Sequence, residues 1–393
     1  MKRLLLAVAV AMAAAIFVPG ANAASADATT ATASSTSETI VLSGWPESGP
    51  ATATLQKVIT SFEATHPRIH VDYQPLGNYT GDIETAFAGG APPDVFYVDS
   101  SLAPDWIARG YLQPLQGLAK KNGFDTSHFF PALLQAFESP TGQPYGFPKD
   151  WSPLALWTND ALVPTAPTTW TELRATAQQV RASTGITPIC ISVDWARLLA
   201  FVEENGASLA TIDSEQAAAA VQFYSGLVRD GLAATPDMLG EPWCGQALAD
   251  GQVAMAFEGN WLLPVMRQTS LAYSIHPMPS SLRRGNVAFT VAYAMASSSQ
   301  HKQAAWELIS YLTGRTGMQQ WVNGAVAQPS RDDVRPVPGT EVFQGEAPIA
   351  TGWQFGVGFN DAVNLGNSEL GNVFAGTESI DQMLADFKAA LGE

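Results

Sequence analysis

The sequence predicts an open α/β fold in two domains, and two observations carry that reading. The first is the stretch from Phe62 to Leu115, where hydrophobic periodicity switches repeatedly between helix and strand, with a Gly/Pro break before each strand. The second is length: roughly 350 residues remain after the amino-terminal leader, more than one hydrophobic core usually supports. Leu55, Val58, Ile59 and Phe62 recur at i, i+3, i+4 and i+7, one apolar helix face. Pro67 stops that helix, and Ile69, Val71 and Tyr73 alternate with His70 and Asp72 as a strand does. A second helix through Ile83, Ala86 and Phe87 ends at Gly89-Gly90, and Pro92-Pro93 lead into the bounded apolar run Val95 to Val98. Such a run fits a strand buried on both faces of a parallel sheet. Alternating elements of this kind make an open α/β domain, which binds ligands beyond the carboxyl ends of its strands. Two loops follow strands here: Trp45-Pro46-Glu47-Ser48 after Ile40 to Leu42, and Asp99-Ser100-Ser101 after Val98.

The amino terminus reads as a secretory signal over residues 1–23. Lys2-Arg3 precede an apolar run from Leu4 to Val18 and the small-residue site Ala21-Asn22-Ala23. The run falls short of the twenty or so apolar residues that span a bilayer. No Cys follows it for lipid attachment. Residues 24–39 are mostly Ala, Ser and Thr, a composition expected of a flexible leader. The mature chain is thus expected to be soluble and periplasmic or extracellular. Loss of Lys2 and Arg3 would move the formal charge from −16 to −18, 18 basic against 36 acidic residues. That balance excludes a basic nucleic-acid footprint and argues against binding anionic lipid.

The segment Phe62 to Leu115 closely resembles the first lobe of extracellular solute-binding proteins of the maltose-binding type. Phe62-Glu63-Ala64-Thr65-His66-Pro67-Arg68-Ile69-His70-Val71 looks like their helix-to-strand signature, Ala91 to Asp99 their second-strand signature, and Ile107 to Leu115 the segment after that strand. The resemblance extends over almost the whole mature chain. Tyr145-Gly146-Phe147-Pro148 to Asn159 resembles the crossing between lobes, and Pro167 to Leu173 the opening of a second-lobe helix, with Thr169 and Glu172 at capping-box spacing. Gly251 to Trp261 is similar to the family's Gly-x-(Val/Ala)-Ala-Met, Gly-x-Trp element, and Gly324 to Arg331 to its Gly-x-x-Pro-x-Arg turn. The resemblance implies a two-lobe periplasmic-binding-protein-like fold, each lobe an open, mostly parallel sheet flanked by helices, joined by several hinge crossings. The implied first lobe is 40–150 and 276–330, the second 151–275 and 331–393. It further implies a carrier that closes on a sugar and presents it to membrane permease subunits of an ABC transporter, as a monomer and without a cofactor.

A sugar offers hydroxyls at its rim and C–H groups on its faces, so its site needs aromatic plates with carboxylates, amides and Arg at the edge. Trp45, Trp151, Trp195, Trp261 and Trp353 each sit in or beside a polar, loop-like segment, interleaved with Glu47, Asp99, Ser100, Asp150, Glu258, Asn260 and Arg331. Trp261 occupies the Gly-x-Trp position, and Trp353-Gln354-Phe355 resembles the aromatic loop that closes the family's sugar site. Trp157, Trp170, Trp306 and Trp321 lie on strand or helix patterns and are assigned to the core. Several plates favour a neutral di- or oligosaccharide. Other ligands of this scaffold, a polyol or a polyamine, stay open.

The chain has no Gly-x-Ser-x-Gly, no phosphate-binding Gly loop and no zinc-type His pair, and its five histidines are scattered. A secreted glycoside hydrolase would need two carboxylates flanking the scissile bond, for which Asp99 and Glu258 are the candidates. Cys190 and Cys244, two lone cysteines in an exported chain, are expected to form a disulfide. Neither falls in the proposed aromatic loops, so the bond is expected to affect unfolding of the second lobe far more than sugar affinity.

Overall fold

The computed structural model describes residues 37–354 and 356–392. The signal segment, most of the leader and Phe355 lie outside the described residues. Glu38 and Thr39, read from sequence as leader, already belong to the first strand.

Two mixed sheets organise the chain. The first contains β1 (Glu38–Gly44), β2 (Ile69–Pro75), β3 (Val95–Asp99), β4 (Gly146–Pro153), β10 (Asn286–Met295) and β11 (Ala350–Gly352). The second contains β5 (Ala155–Asn159), β6 (Thr187–Cys190), β7 (Ala233–Ala234), β8 (Val253–Glu258) and β9 (Tyr273–His276). Strand order is β11-β10-β3-β1-β2 in the first, with β4 also on β10, and β7-β6-β8-β5-β9 in the second. The βαβ run at the amino terminus gives parallel pairs, with Ile40 opposite Val71 and Leu42 opposite Val95. Parallel pairing recurs where β6 joins β7 and β8 and where β10 joins β11, so most pairs are parallel as expected, and the exceptions lie on β10 and β5. Strands that cross between the sheets enter from the other end, so β10 runs antiparallel to β3 and β4, and β5 antiparallel to β8 and β9.

The helix Gly49–Thr65 buries Leu55, Val58, Ile59 and Phe62 on the first sheet, the face its periodicity marks. Thr169 and Glu172 form the capping box that starts the helix Trp170–Thr184. On β5 and the residue before it, Leu154 and Leu156 enter one core of the second sheet and Ala155 and Trp157 the other, as strand alternation requires. The helices Phe359–Ala375 and Ile380–Ala390 supply Phe359, Leu370, Met383 and Phe387 to the first of these cores.

The chain passes between the sheets at Leu154, between His276 and Asn286, and again between β11 and the helix Phe359–Ala375. Strand β4 keeps its place on the first sheet as far as Pro153, three residues beyond the lobe limit read from sequence. Strand β11, in a segment assigned to the second lobe, pairs with Asn286 to Ala288 on the first sheet.

Candidate functional site

A cleft of about 520 Å³ lies between the two sheets, and its walls come from both. From the first come Trp45 and Glu47 after β1, Asp99 at the end of β3, Lys149 to Ser152 on β4, Phe289 and Val291 on β10, and Trp321 on the helix Arg315–Ala325. The second supplies Arg197 on the helix Trp195–Glu204, Trp243, Asn260 and Trp261. Volume and lining suit a small organic ligand.

Local geometry explains why these side chains converge. Trp45 follows Gly44, where a Cβ would sit 2.4 Å from the Tyr97 ring. The absence of a side chain lets Trp45 rest edge-on against Tyr97 and Tyr79, at 5.1 and 5.4 Å between centroids. On β4, Asp150 pairs with Val291 but Pro148 with Ala292, so Lys149 is the extra residue of a β-bulge. In a regular strand Lys149 and Asp150 would face opposite ways; the bulge turns both into the cleft. Lys149 Nζ lies 2.6 Å from Glu47 Oε1 and 3.5 Å from Asp150 Oδ2, above the rings of Trp321 (4.1 Å) and Tyr97 (4.5 Å). Burial works against its charge, but Asp150 and Glu47 outweigh that and hold its pKa above the ordinary value. Trp321 Nε1 in turn donates to Asp150 Oδ2 at 2.7 Å.

A second cation, half-buried, stands in the opposite wall. Arg197 pairs with Glu258 Oε2 at 2.6 Å and with Asp194 at 3.0 Å, and its Nε donates to the Phe257 carbonyl at 3.3 Å. Trp261 Nε1 donates to the same Glu258 oxygen at 2.9 Å, which fixes the indole plane. Burial raises the Glu258 pKa, and Arg197 and Trp261 act against the rise. Both cations are therefore neutralised by protein carboxylates. Asp99 is half-buried; its Oδ1 accepts from the Ser101 amide and hydroxyl, and among the described residues Oδ2 takes no hydrogen bond. Burial raises its pKa, against those two bonds. Asn260 ties the walls together: its amide N–H donates to Ser152 Oγ at 2.8 Å and its Nδ2 to the Val326 carbonyl at 3.3 Å.

Of the residues singled out from sequence, Trp45, Glu47, Asp99, Asp150, Trp151, Asn260 and Trp261 meet in this cleft. Five others do not. Trp195 is fully buried and stacked on Phe387 at 4.0 Å, because Asp194 caps its helix and turns the indole into the core. Glu258, fully buried behind Trp261, supports the wall without lining it. Ser100, Arg331 and Trp353 line a separate cavity of about 610 Å³. On β10, Phe289 and Val291 face the cleft while Ala288 and Thr290 face that cavity, so the two open on opposite faces of one strand. The same alternation parts Asp99 from Ser100, whose Oγ donates to the Trp353 carbonyl at 2.7 Å. Arg331 is held by a two-pronged pair with Asp333 at 2.8 and 2.9 Å. Trp353 packs edge-on against Phe359 at 5.2 Å. Trp151 borders both spaces, its Nε1 donating to the Pro329 carbonyl at 3.0 Å.

Sequence reasoning missed Lys149, Arg197, Trp243 and Trp321. The helical pattern assigns Trp321 to the core, where it does pack, but its edge also lines the cleft. Nothing in its helical pattern separates those roles. Cys190 and Cys244 are bonded, as expected.

The chain is 23% identical over 301 residues to the multiple sugar-binding protein of Streptococcus mutans, a match covering 68% of this chain and 70% of that protein. An ABC substrate-binding protein from Listeria monocytogenes in complex with cycloalternan superposes with a TM-score of 0.83 at 20% identity, covering 91% of this chain and 98% of the other. The maltotriose-binding protein of Thermus thermophilus, bound with maltotriose, gives 0.77 at 18% identity over 90% and 98%. These likenesses establish the two-lobe fold. The family model for bacterial extracellular solute-binding proteins matches residues 45–319, and the chain belongs to that family.

Proposed function

We propose that the protein is the carbohydrate-binding component of an ABC-type import system. Exported to the periplasm or the cell exterior, it closes on a neutral di- or oligosaccharide between its lobes and delivers it to the permease. One observation carries the reading: Trp45, Trp151, Trp261 and Trp321 frame a cleft whose two cations are already neutralised and whose rim keeps carboxylate oxygens such as Asp99 Oδ2 for hydroxyl donors. Indole faces match sugar C–H faces, and carboxylates match the rim. The sugar-binding relatives support the same ligand class. The glycosidase alternative loses its carboxylate pair, because Glu258 is buried in the ion pair with Arg197 and does not line the cleft.

A thermal-shift screen over mono-, di- and trisaccharides, polyols and polyamines tests the proposal. A ligand at a hundred times its dissociation constant should stabilise the protein by about 2.7 kcal/mol. A shift with a polyamine and none with any sugar overturns the assignment.

A further inference from the structure

We infer that Trp243 is a ligand-contacting plate of this cleft and that the Cys190–Cys244 disulfide, with Gly245, is the device that holds it in place. The inference rests on the sugar reading above only for the identity of the ligand.

Trp243 lines the cleft from the second lobe. It packs against the core that holds Cys190, Cys244 and Leu248, and the residues immediately after it in the chain set its direction. It precedes the helix Cys244–Ala249, which is one and a half turns long and has no side-chain cap at its start. A helix that short has little stability of its own, and Gly245 in its first turn lowers it further. The covalent tie of Cys244 to Cys190 supplies what the helix lacks. Cys190 ends β6, paired to Ala256 of β8 and Ala234 of β7, so the bond anchors the helix start to the middle of the second sheet. Gly245 then sets the direction of the indole: a Cβ there would lie 2.0 Å from the Trp243 ring. The ring therefore folds back over Gly245 in a place no other residue would leave free. Bond, glycine and indole make one unit, and the bond acts on the ligand as well as on stability. The bond's role here departs from the sequence expectation, in which the cysteines stand apart from every proposed aromatic loop.

The test is a double-mutant cycle read by calorimetry, run below the unfolding temperature of every variant. The probes are gluco-, galacto-, manno- and xylo-oligosaccharides of one to four units. Trp243→Ala should bind the tightest of these roughly tenfold more weakly than the unaltered protein. Cys190→Ala/Cys244→Ala should lose a comparable factor, and the triple variant should bind no more weakly than Trp243→Ala alone. Gly245→Ala keeps the disulfide and should lose affinity by displacing the ring. Equal losses on removing the bond with and without Trp243, or no loss on removing it at all, overturn the inference. A readout without sugar separates this claim from the sugar reading. In protein labelled with 5-fluorotryptophan, the ¹⁹F resonance that vanishes in Trp243→Phe should move in Cys190→Ala/Cys244→Ala. If that resonance stays put, the positional claim fails. If it moves but no probe sugar binds, the sugar reading fails instead.

Discussion

The side-chain amide of Asn286 holds Leu154 by both of its backbone groups: Oδ1 accepts from the Leu154 N–H at 3.2 Å and Nδ2 donates to the Leu154 carbonyl at 2.8 Å. Leu154 is where the chain first crosses between sheets, and Asn286 is where it returns. The same Nδ2 donates to Glu346 Oε2 at 2.9 Å, on the approach to the third crossing. One fully buried side chain thus joins all three connections at the point about which the lobes must turn.

Asn286→Ala leaves the Leu154 and Val287 N–H groups, a carbonyl and a carboxylate without this partner. Each orphaned group costs about 1–3 kcal/mol. Denaturant unfolding should therefore show a loss of at least about 2 kcal/mol. An unchanged midpoint would mean that water replaces the amide and that the crossings are held by other contacts.

Trp261 and Trp353, paired as sugar plates by the family resemblance, should separate cleanly. Trp261 lines the cleft but also donates to the buried Glu258, so Trp261→Ala should weaken sugar binding strongly and lower the ligand-free melting temperature less than Trp353→Ala does. Trp353 packs against Phe359 away from the cleft, so Trp353→Ala should cost about 3–5 kcal/mol of stability and leave affinity nearly intact. Melting temperature and calorimetric affinity, measured on both variants, decide. The reverse pattern would return Trp353 to the site.

The alternation of helix and strand from Leu55 to Val98 was legible because each element carries its own period and each break its own Gly or Pro. The cleft was legible where a residue follows a strand's carboxyl end, as Glu47, Asp99 and Asn260 do. It was not legible where tertiary geometry re-aims a side chain. Lys149 reaches the cleft only through a bulge whose register depends on β10, which lies more than a hundred residues further on. Ser100 and Trp353 sit beside good candidates in sequence but on the other face of the sheet. Trp195 follows a polar loop, as a binding residue would, yet Asp194 makes that loop a helix cap.

Acid–base behaviour offers a test far from the cleft. Glu369 is pushed up to about 7 from its ordinary 4.5, first by burial and then by Glu378 and Asp386. Between those values the folded state keeps a proton that the unfolded state has lost, so stability from this group falls as pH rises through 7. Melting temperature should decline from pH 5 to pH 8, and Glu369→Gln should decline less. A variant with the same slope as the unaltered protein would show that neither burial nor Glu378 and Asp386 shift Glu369.

The disulfide closes a loop with a sequence separation of 54, for which chain entropy gives on the order of 4 kcal/mol. Mass spectrometry of the alkylated, unreduced protein should find no free thiol. Cys190→Ala/Cys244→Ala should unfold at clearly lower denaturant. Two alkylated cysteines in the native protein would reject the bond.

One ligand must bridge both walls of the cleft for the lobes to close, since closure can be driven only by contacts made to both at once. Small-angle scattering with and without a saturating sugar, chosen by the thermal-shift screen, tests it most directly. The radius of gyration should be smaller with the sugar bound. A sugar that binds tightly and leaves the radius unchanged would contradict it.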